Sequence, residues 1–240
     1  ILHERGNLIP ADWRERLPNA SSPYYSTMAF LVREGNPKNI QNWDDLVRDD
    51  VSSVLPNPKT SGNGRYTYLA ALGYAQKTFG DDQEAIDNYL REFLGNVAVF
   101  DTGGRGATTT FVERGIGDVL LTFESEVNNI AAQYDGEYQV VVPKVSFLAE
   151  FPVTWIDRSV ERNETADLAK AYLEYLYSED AQRLIAGFNY RVHNDTVKAE
   201  FADRFPELEL LPIEAITGDW KTAMSEHFGS GGKLDQLQRR

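Results

Sequence analysis

Two glycine-rich turns constrain this chain more than any other feature: Ser61-Gly62-Asn63-Gly64-Arg65 and Thr102-Gly103-Gly104-Arg105-Gly106. Each follows a short apolar segment and opens a helix-like one. Glycine lets the backbone approach a ligand closely, and the first turn of a helix carries N–H groups with no internal partner. The helix dipole adds partial positive charge at the same place. Two such turns brought together would hold a small oxyanion by neutral donors rather than by opposing charge. Sulfate, thiosulfate, phosphate and molybdate all fit that description.

The segments around the turns alternate between strand and helix patterns. Tyr24 to Arg33 reads as a strand with Met28, Phe30 and Val32 in alternation, and Val51 to Leu55 as a second, ending at Pro56-Asn57-Pro58. Arg65 to Phe79 follows the first turn as an amphipathic helix, with Tyr66, Leu69, Ala70, Gly73 and Tyr74 three and four apart. Glu84 to Leu94 is a further helix, and Val97 to Phe100 a strand that enters the second turn. Ala107 to Arg114 reads as a short helix and Asp118 to Phe123 as a buried strand. A helix over Glu124 to Tyr134 follows, then strands at Tyr138 to Val142 and Val153 to Asp157. One long helix is expected over Thr165 to Leu184, striped by Leu168, Tyr172, Leu173, Leu176 and Leu184, and a last one after Gly231-Gly232. The alternation indicates an α/β fold. Residues 1–6 read as the end of a helix, so the chain is expected to begin inside a domain.

The chain has 240 residues, 42% of them hydrophobic, which is enough for a full core. Asp and Glu number 37 against 24 Lys and Arg, a net charge of -13. That field repels nucleic acid and anionic membranes, and it also repels a free anion at long range. Local dipoles must therefore overcome the global charge wherever an anion binds. The absence of cysteine excludes disulfides, thiol catalysis and cysteine-ligated metal. No apolar run approaches the roughly 20 residues that span a bilayer.

Three separated motifs carry a resemblance. Pro56-Asn57-Pro58-Lys59-Thr60-Ser61-Gly62-Asn63, Asp101-Thr102-Gly103-Gly104-Arg105-Gly106-Ala107-Thr108 and Glu113-Arg114-Gly115-Ile116-Gly117-Asp118-Val119 resemble the periplasmic sulfate/thiosulfate-binding proteins of ABC importers. So do Tyr25 to Arg33 and His227-Phe228-Gly229-Ser230-Gly231-Gly232. The resemblance implies a type II periplasmic binding protein, an α/β fold with two lobes around a cleft. Residues 36–146 would be the second lobe, and 1–35 with 147–240 the first, whose N-terminal part is absent. Roughly a quarter of the family's length is expected upstream, with the first lobe's ligand donors in it. In sulfate-binding members the second lobe offers a serine hydroxyl and two N–H groups of a Ser-Gly-Gly turn, here Ser61, Gly62 and Asn63. A further N–H matches Gly104. A tryptophan indole matches Phe123, which donates nothing. The four tryptophans, Trp13, Trp43, Trp155 and Trp220, lie elsewhere in the sequence. A phenyl ring suits the soft sulfur of thiosulfate, and Phe123 to Ile130 resembles the thiosulfate-binding branch. The resemblance thus implies a periplasmic carrier for sulfur assimilation that takes thiosulfate, and sulfate second, and hands it to a membrane permease. No cofactor and no catalytic residue are implied, and the full-length protein is expected to be a monomer.

Other readings stay open on the residues alone. Ser61 also fits an ordinary N-cap. Arg65 and Arg105 are expected to point away from the ligand toward Asp or Glu. His3, His193 and His227 lack metal-ligand spacing. A sulfate-preferring carrier, a sensor module and an enzyme on phosphorylated or sulfonated substrates remain alternatives. The enzyme lacks a nucleophile elbow, a Walker lysine and a metal cluster. Exposed apolar surface on the incomplete lobe is expected to make the isolated chain marginal or self-associating.

Overall fold

A computed structural model describes residues 2–238. Ten strands occur among them: β1 Tyr24–Ser26, β2 Met28–Arg33, β3 Ser53–Pro56, β4 Val97–Asp101, β5 Val119–Phe123, β6 Tyr138–Val141, β7 Val145–Phe147, β8 Ala149–Glu150, β9 Arg191–Val192 and β10 Glu209–Leu211. The chain divides into two compact units. The smaller takes residues up to 26 with 150–206, and the larger takes 27–149 with residues from 207 onward.

The larger unit is built on a five-stranded sheet, ordered β4-β3-β5-β2-β6. β3 runs parallel to β4 and β5, while β2 is antiparallel to β5 and β6. Every residue of β2 from Met28 to Val32 is buried, because helices cover both faces of the sheet. Met28, Phe30 and Val32 join the core that includes Trp43 and the helices Gly62–Phe79 and Gln83–Gly95. Ala29 and Leu31 join the opposite core with Ala107, Phe111 and Val127, from the helices Gly104–Val112 and Glu124–Gln133. Trp43 fixes the first core. It meets Phe30 edge-on at 4.9 Å and donates from its indole to the Val145 carbonyl at 2.8 Å.

Helix Gly62–Phe79 departs from the amphipathic reading. Its buried residues run without interruption from Thr67 to Gly73, so it has apolar cover on several sides. Part of the cover is the end of β10 and the segment after it. A Cβ on Gly73 would lie 2.8 Å from Leu211 and 3.0 Å from Ile216, so glycine admits the close approach. The C-terminal helix Lys233–Gln238 buries Leu234 and Leu237 and is pinned by Lys233 to Asp87 at 2.6 Å and Lys59 to Asp235 at 2.8 Å.

In the smaller unit β1 pairs antiparallel with β9, Tyr24 opposite Val192 and Tyr25 opposite Arg191. The single strand expected from Tyr24 to Arg33 is therefore two, broken at Thr27, whose hydroxyl donates to the Phe147 carbonyl at 2.9 Å. The strand expected at Val153 to Asp157 is an unladdered segment that enters a helix, Asp157–Arg162. The long helix expected over Thr165 to Leu184 is also two, Ala166–Tyr175 and Glu179–Gly187. Ser178 caps the second by accepting from the Ala181 N–H, and Gln182 donates to the Leu176 carbonyl across the break at 2.7 Å. Short elements at Asp195–Glu200, Ile213–Ile216 and Trp220–Thr222 occupy stretches that the sequence reads as loop. The helix end expected over residues 1–6 is met by Leu2–Gly6, and residue 1 lies outside the described residues.

Candidate functional site

Three helix N-termini gather on one side of the larger unit for a topological reason. β4, β3 and β5 are neighbouring parallel strands, so their carboxyl ends share an edge of the sheet. β3 leads through residues 57–61 into helix Gly62–Phe79. β4 leads through Thr102 and Gly103 into helix Gly104–Val112. β5 passes directly into helix Glu124–Gln133. Each helix is long enough to carry a dipole, and first-turn N–H groups have no partner within their own helix, although the Glu124 N–H donates to the Thr27 carbonyl at 2.8 Å.

The turns are tied to one another. The Asn57 N–H donates to the Asp101 carbonyl at 2.7 Å, and the Thr60 hydroxyl to the Thr102 carbonyl at 3.0 Å. The Asn63 amide donates to the Thr122 hydroxyl at 2.7 Å, which joins the first turn to β5. Gly64 has no alternative at its position, since a Cβ there would lie 2.2 Å from the Pro56 carbonyl oxygen. A Cβ on Gly106 would come within 3.1 Å of Asp101, so that carboxylate rests against the opening turn of helix Gly104–Val112.

Of the residues singled out in the sequence, Ser61 is the N-cap of helix Gly62–Phe79. Its hydroxyl accepts from the Gly64 N–H at 3.5 Å, the long limit of a hydrogen bond, so the cap engages it only weakly. Gly62 is exposed and Gly103 and Gly104 stand half-exposed at the second turn. Gly104 adjoins the first turn directly, because a Cβ there would sit 3.3 Å from Asn63 Nδ2. Asn63 and Gly104 are thus brought together. Phe123 is half-buried at the end of β5 and meets Tyr66 at 5.4 Å between ring centroids. Tyr66 in turn meets Trp220 at 5.1 Å. A tryptophan distant in sequence therefore stands one ring away from Phe123, which the linear reading did not find.

Two of the cations near the turns are engaged elsewhere. Arg65 donates to the Pro58 and Lys59 carbonyls at 3.0 and 3.2 Å, which corrects the expected carboxylate partner. Lys59 pairs with Asp235 and donates to the Gly229 carbonyl at 2.9 Å. Arg105 is exposed. Apart from Arg105, the donors left at the edge are neutral. Thr122 and Gly64 carry structural parts that sequence reasoning missed. Gly64 was visible inside the motif, whereas Thr122 reads as one more strand residue.

The histidines are dispersed. His3 lies 3.0 Å from the Ile9 carbonyl, the His193 ring is tilted against Tyr25 at 5.0 Å, and His227 lies 3.0 Å from the Tyr68 hydroxyl. Burial pushes His193 and His227 below the usual imidazole range and Tyr68 above the phenol range. Among the described residues no group of three or more His, Asp or Glu could hold a metal ion, and no helix is long and apolar enough to cross a membrane.

Comparison with known proteins adds a family context. Residues 3–191 match the family model described as bacterial extracellular solute-binding protein. The thiosulfate-binding protein of Escherichia coli (strain K12) is 59% identical over 238 residues, covering 99% of this chain and 70% of that protein. The thiosulfate-binding protein of Pseudomonas aeruginosa is 47% identical over 237 residues, covering 98% of this chain and 71% of that protein. Among solved structures, the sulfate-binding protein SubI from Mycobacterium tuberculosis superimposes with a TM-score of 0.77 at 30% identity, over 90% of this chain and 73% of that one.

Proposed function

The chain belongs to the bacterial extracellular solute-binding proteins, and from that premise we propose that it binds thiosulfate, with sulfate as a second ligand, for an ABC importer. The observation that carries the reading is the meeting of three helix N-termini at one sheet edge, with Asn63 against Gly104. The relatives named as thiosulfate-binding at 59% and 47% identity favour the ligand.

The proposed donors are the Ser61 hydroxyl and the N–H groups of Gly62, Asn63 and Gly104. Each helix N-terminus supplies roughly half a positive charge in partial form. Convergent dipoles suit a fully ionised anion in a chain whose net charge is -13. A cluster of cations would bind many anions, whereas fixed N–H groups select by shape and by the absence of ligand protons. Phe123 stands where the family resemblance places a donor. A sulfate oxygen facing its ring would lose a hydrogen bond, at about 1–3 kcal/mol. The larger, softer sulfur of thiosulfate loses little there. No group in this set performs a covalent step, so the protein acts as a carrier. It works in the periplasm as a monomer in its full-length form and delivers the anion to a membrane permease.

Calorimetric titration of the full-length protein with thiosulfate and then sulfate, at fixed ionic strength, tests the reading. One-to-one binding of thiosulfate, tighter than sulfate, is expected. Sulfate binding tighter than thiosulfate would leave a carrier with the other preference, in line with the sulfate-binding protein of similar fold. No heat with either anion would remove the reading.

A further inference from the structure

The side chain of Asn63 lies where three elements meet. Its Nδ2 donates to Thr122 Oγ1 on β5 at 2.7 Å, and the same nitrogen stands 3.3 Å from where a Cβ on Gly104 would be. Its Oδ1 is buried with no hydrogen-bond partner. Thr122 is buried and immediately precedes Phe123. A buried acceptor left unpaired is unfavourable, and a partner from outside or a change of rotamer relieves it.

Thr122 makes that change available. A hydroxyl both donates and accepts. With the amide turned over, Thr122 donates to Oδ1, and the buried position without a partner passes to Nδ2. Both N–H groups of Nδ2 then lack an acceptor, which a bound anion would supply. The pair stands beside the N-terminal turns that open at Gly62 and Gly104. An acceptor-only anion takes those hydrogen bonds more strongly than water, and a cation cannot take them.

We infer that the Asn63 side-chain amide, oriented by Thr122, is itself a donor to the bound oxyanion and supplies the side-chain N–H that Phe123 lacks. The inference rests on the anion-binding reading above and deepens it. It adds the side chain of a residue whose backbone N–H alone was assigned a role. Asn63 is then a binding residue and Thr122 a positioning residue.

Titration of the full-length protein and its variants with thiosulfate tests this. Asn63→Gly keeps the backbone N–H and removes the amide, and its affinity is expected to fall about tenfold. Asn63→Asp keeps the shape and still accepts from Thr122, so the turn stays tied to β5. Its added charge faces the anion, and affinity is expected to fall more than about a hundredfold. Thr122→Val frees the amide and weakens binding several-fold, while Thr122→Ser retains the hydroxyl and restores it. Wild-type affinity in Asn63→Asp would overturn the inference, because a carboxylate in the amide's place would then not touch the bound anion. Wild-type affinity in Asn63→Gly would overturn it equally, with the carrier reading intact. A wild-type protein silent toward both thiosulfate and sulfate would overturn the carrier reading, and this inference with it.

Discussion

Gly64 is the residue whose replacement the local geometry forbids most clearly. A methyl group there would sit 2.2 Å from the Pro56 carbonyl oxygen, and that oxygen is backbone at the end of a buried strand. Gly64→Ala is therefore expected to lower stability by more than about 3 kcal/mol, read as a shift of the urea midpoint at constant slope. Gly62, two residues earlier, meets nothing within 4 Å. Gly62→Ala is expected to leave stability unchanged or raise it by up to about 1 kcal/mol, since it only restricts the unfolded chain. Equal losses in the two variants would show that the turn tolerates no side chain at all. The glycine motif was legible in the sequence, but which glycine is obligatory was not. That depends on Pro56, which reaches the turn only after β3 has formed. Thr122 was illegible for a related reason, because its partner lies 59 residues away.

His227 gives a pH dependence at the same scale. Burial holds its imidazole neutral, with Tyr68 3.0 Å away; Glu226 favours the charged form and Lys233 opposes it. The folded pKa lies below the ordinary value, so the unfolded chain binds more protons as pH falls through about 6.5. Stability from this group is complete above that pH and declines below it, until the folded imidazole itself takes the proton. His193 contributes with the same sign. His227→Gln is expected to flatten the fall in urea midpoint between pH 7 and 5. An unchanged pH profile would assign the fall to other groups.

Among the elements, the pair Ala166–Tyr175 and Glu179–Gly187 shows how periodicity succeeds and fails together. The apolar stripe was correctly seen as helical, yet no residue of the first helix is buried. Leu168, Tyr172 and Phe188 are 71%, 63% and 70% exposed. Periodicity marks a face that can be covered and says nothing of what covers it. It also ran through Ser178, because a cap looks like any polar residue until the chain turns there. An exposed stripe of this kind drives association. The 240-residue chain is expected to sediment with an average mass that rises with concentration. Leu168→Glu combined with Tyr172→Glu is expected to abolish that rise with little change in far-UV circular dichroism. A wild-type chain that stays monomeric at every concentration would contradict the expectation.

On the scale of the molecule, alternation of strand and helix made the α/β class legible, because the crossover of parallel strands requires intervening helices. The order of strands was not legible, since β2 inserts between β5 and β6 from far earlier in the chain. That order sets two electrostatic ranges against each other. The net charge of -13 acts over the whole surface, and the helix dipoles act within a turn or so of the sheet edge. Salt separates them, since the screening length falls from about 30 Å at 0.01 M to about 8 Å at 0.15 M. Added sodium chloride should then remove the long-range repulsion of an approaching dianion and leave the short-range donors nearly intact. The association rate for thiosulfate is expected to rise several-fold over that interval, with the dissociation rate almost constant. Stopped-flow fluorescence can read it if Trp220, close to Tyr66 and Phe123, reports the binding step. An association rate that falls with salt would mean that a local positive field dominates the approach. The exposed Arg105 would then be the first cation to remove, and Arg105→Gln would be expected to abolish the dependence.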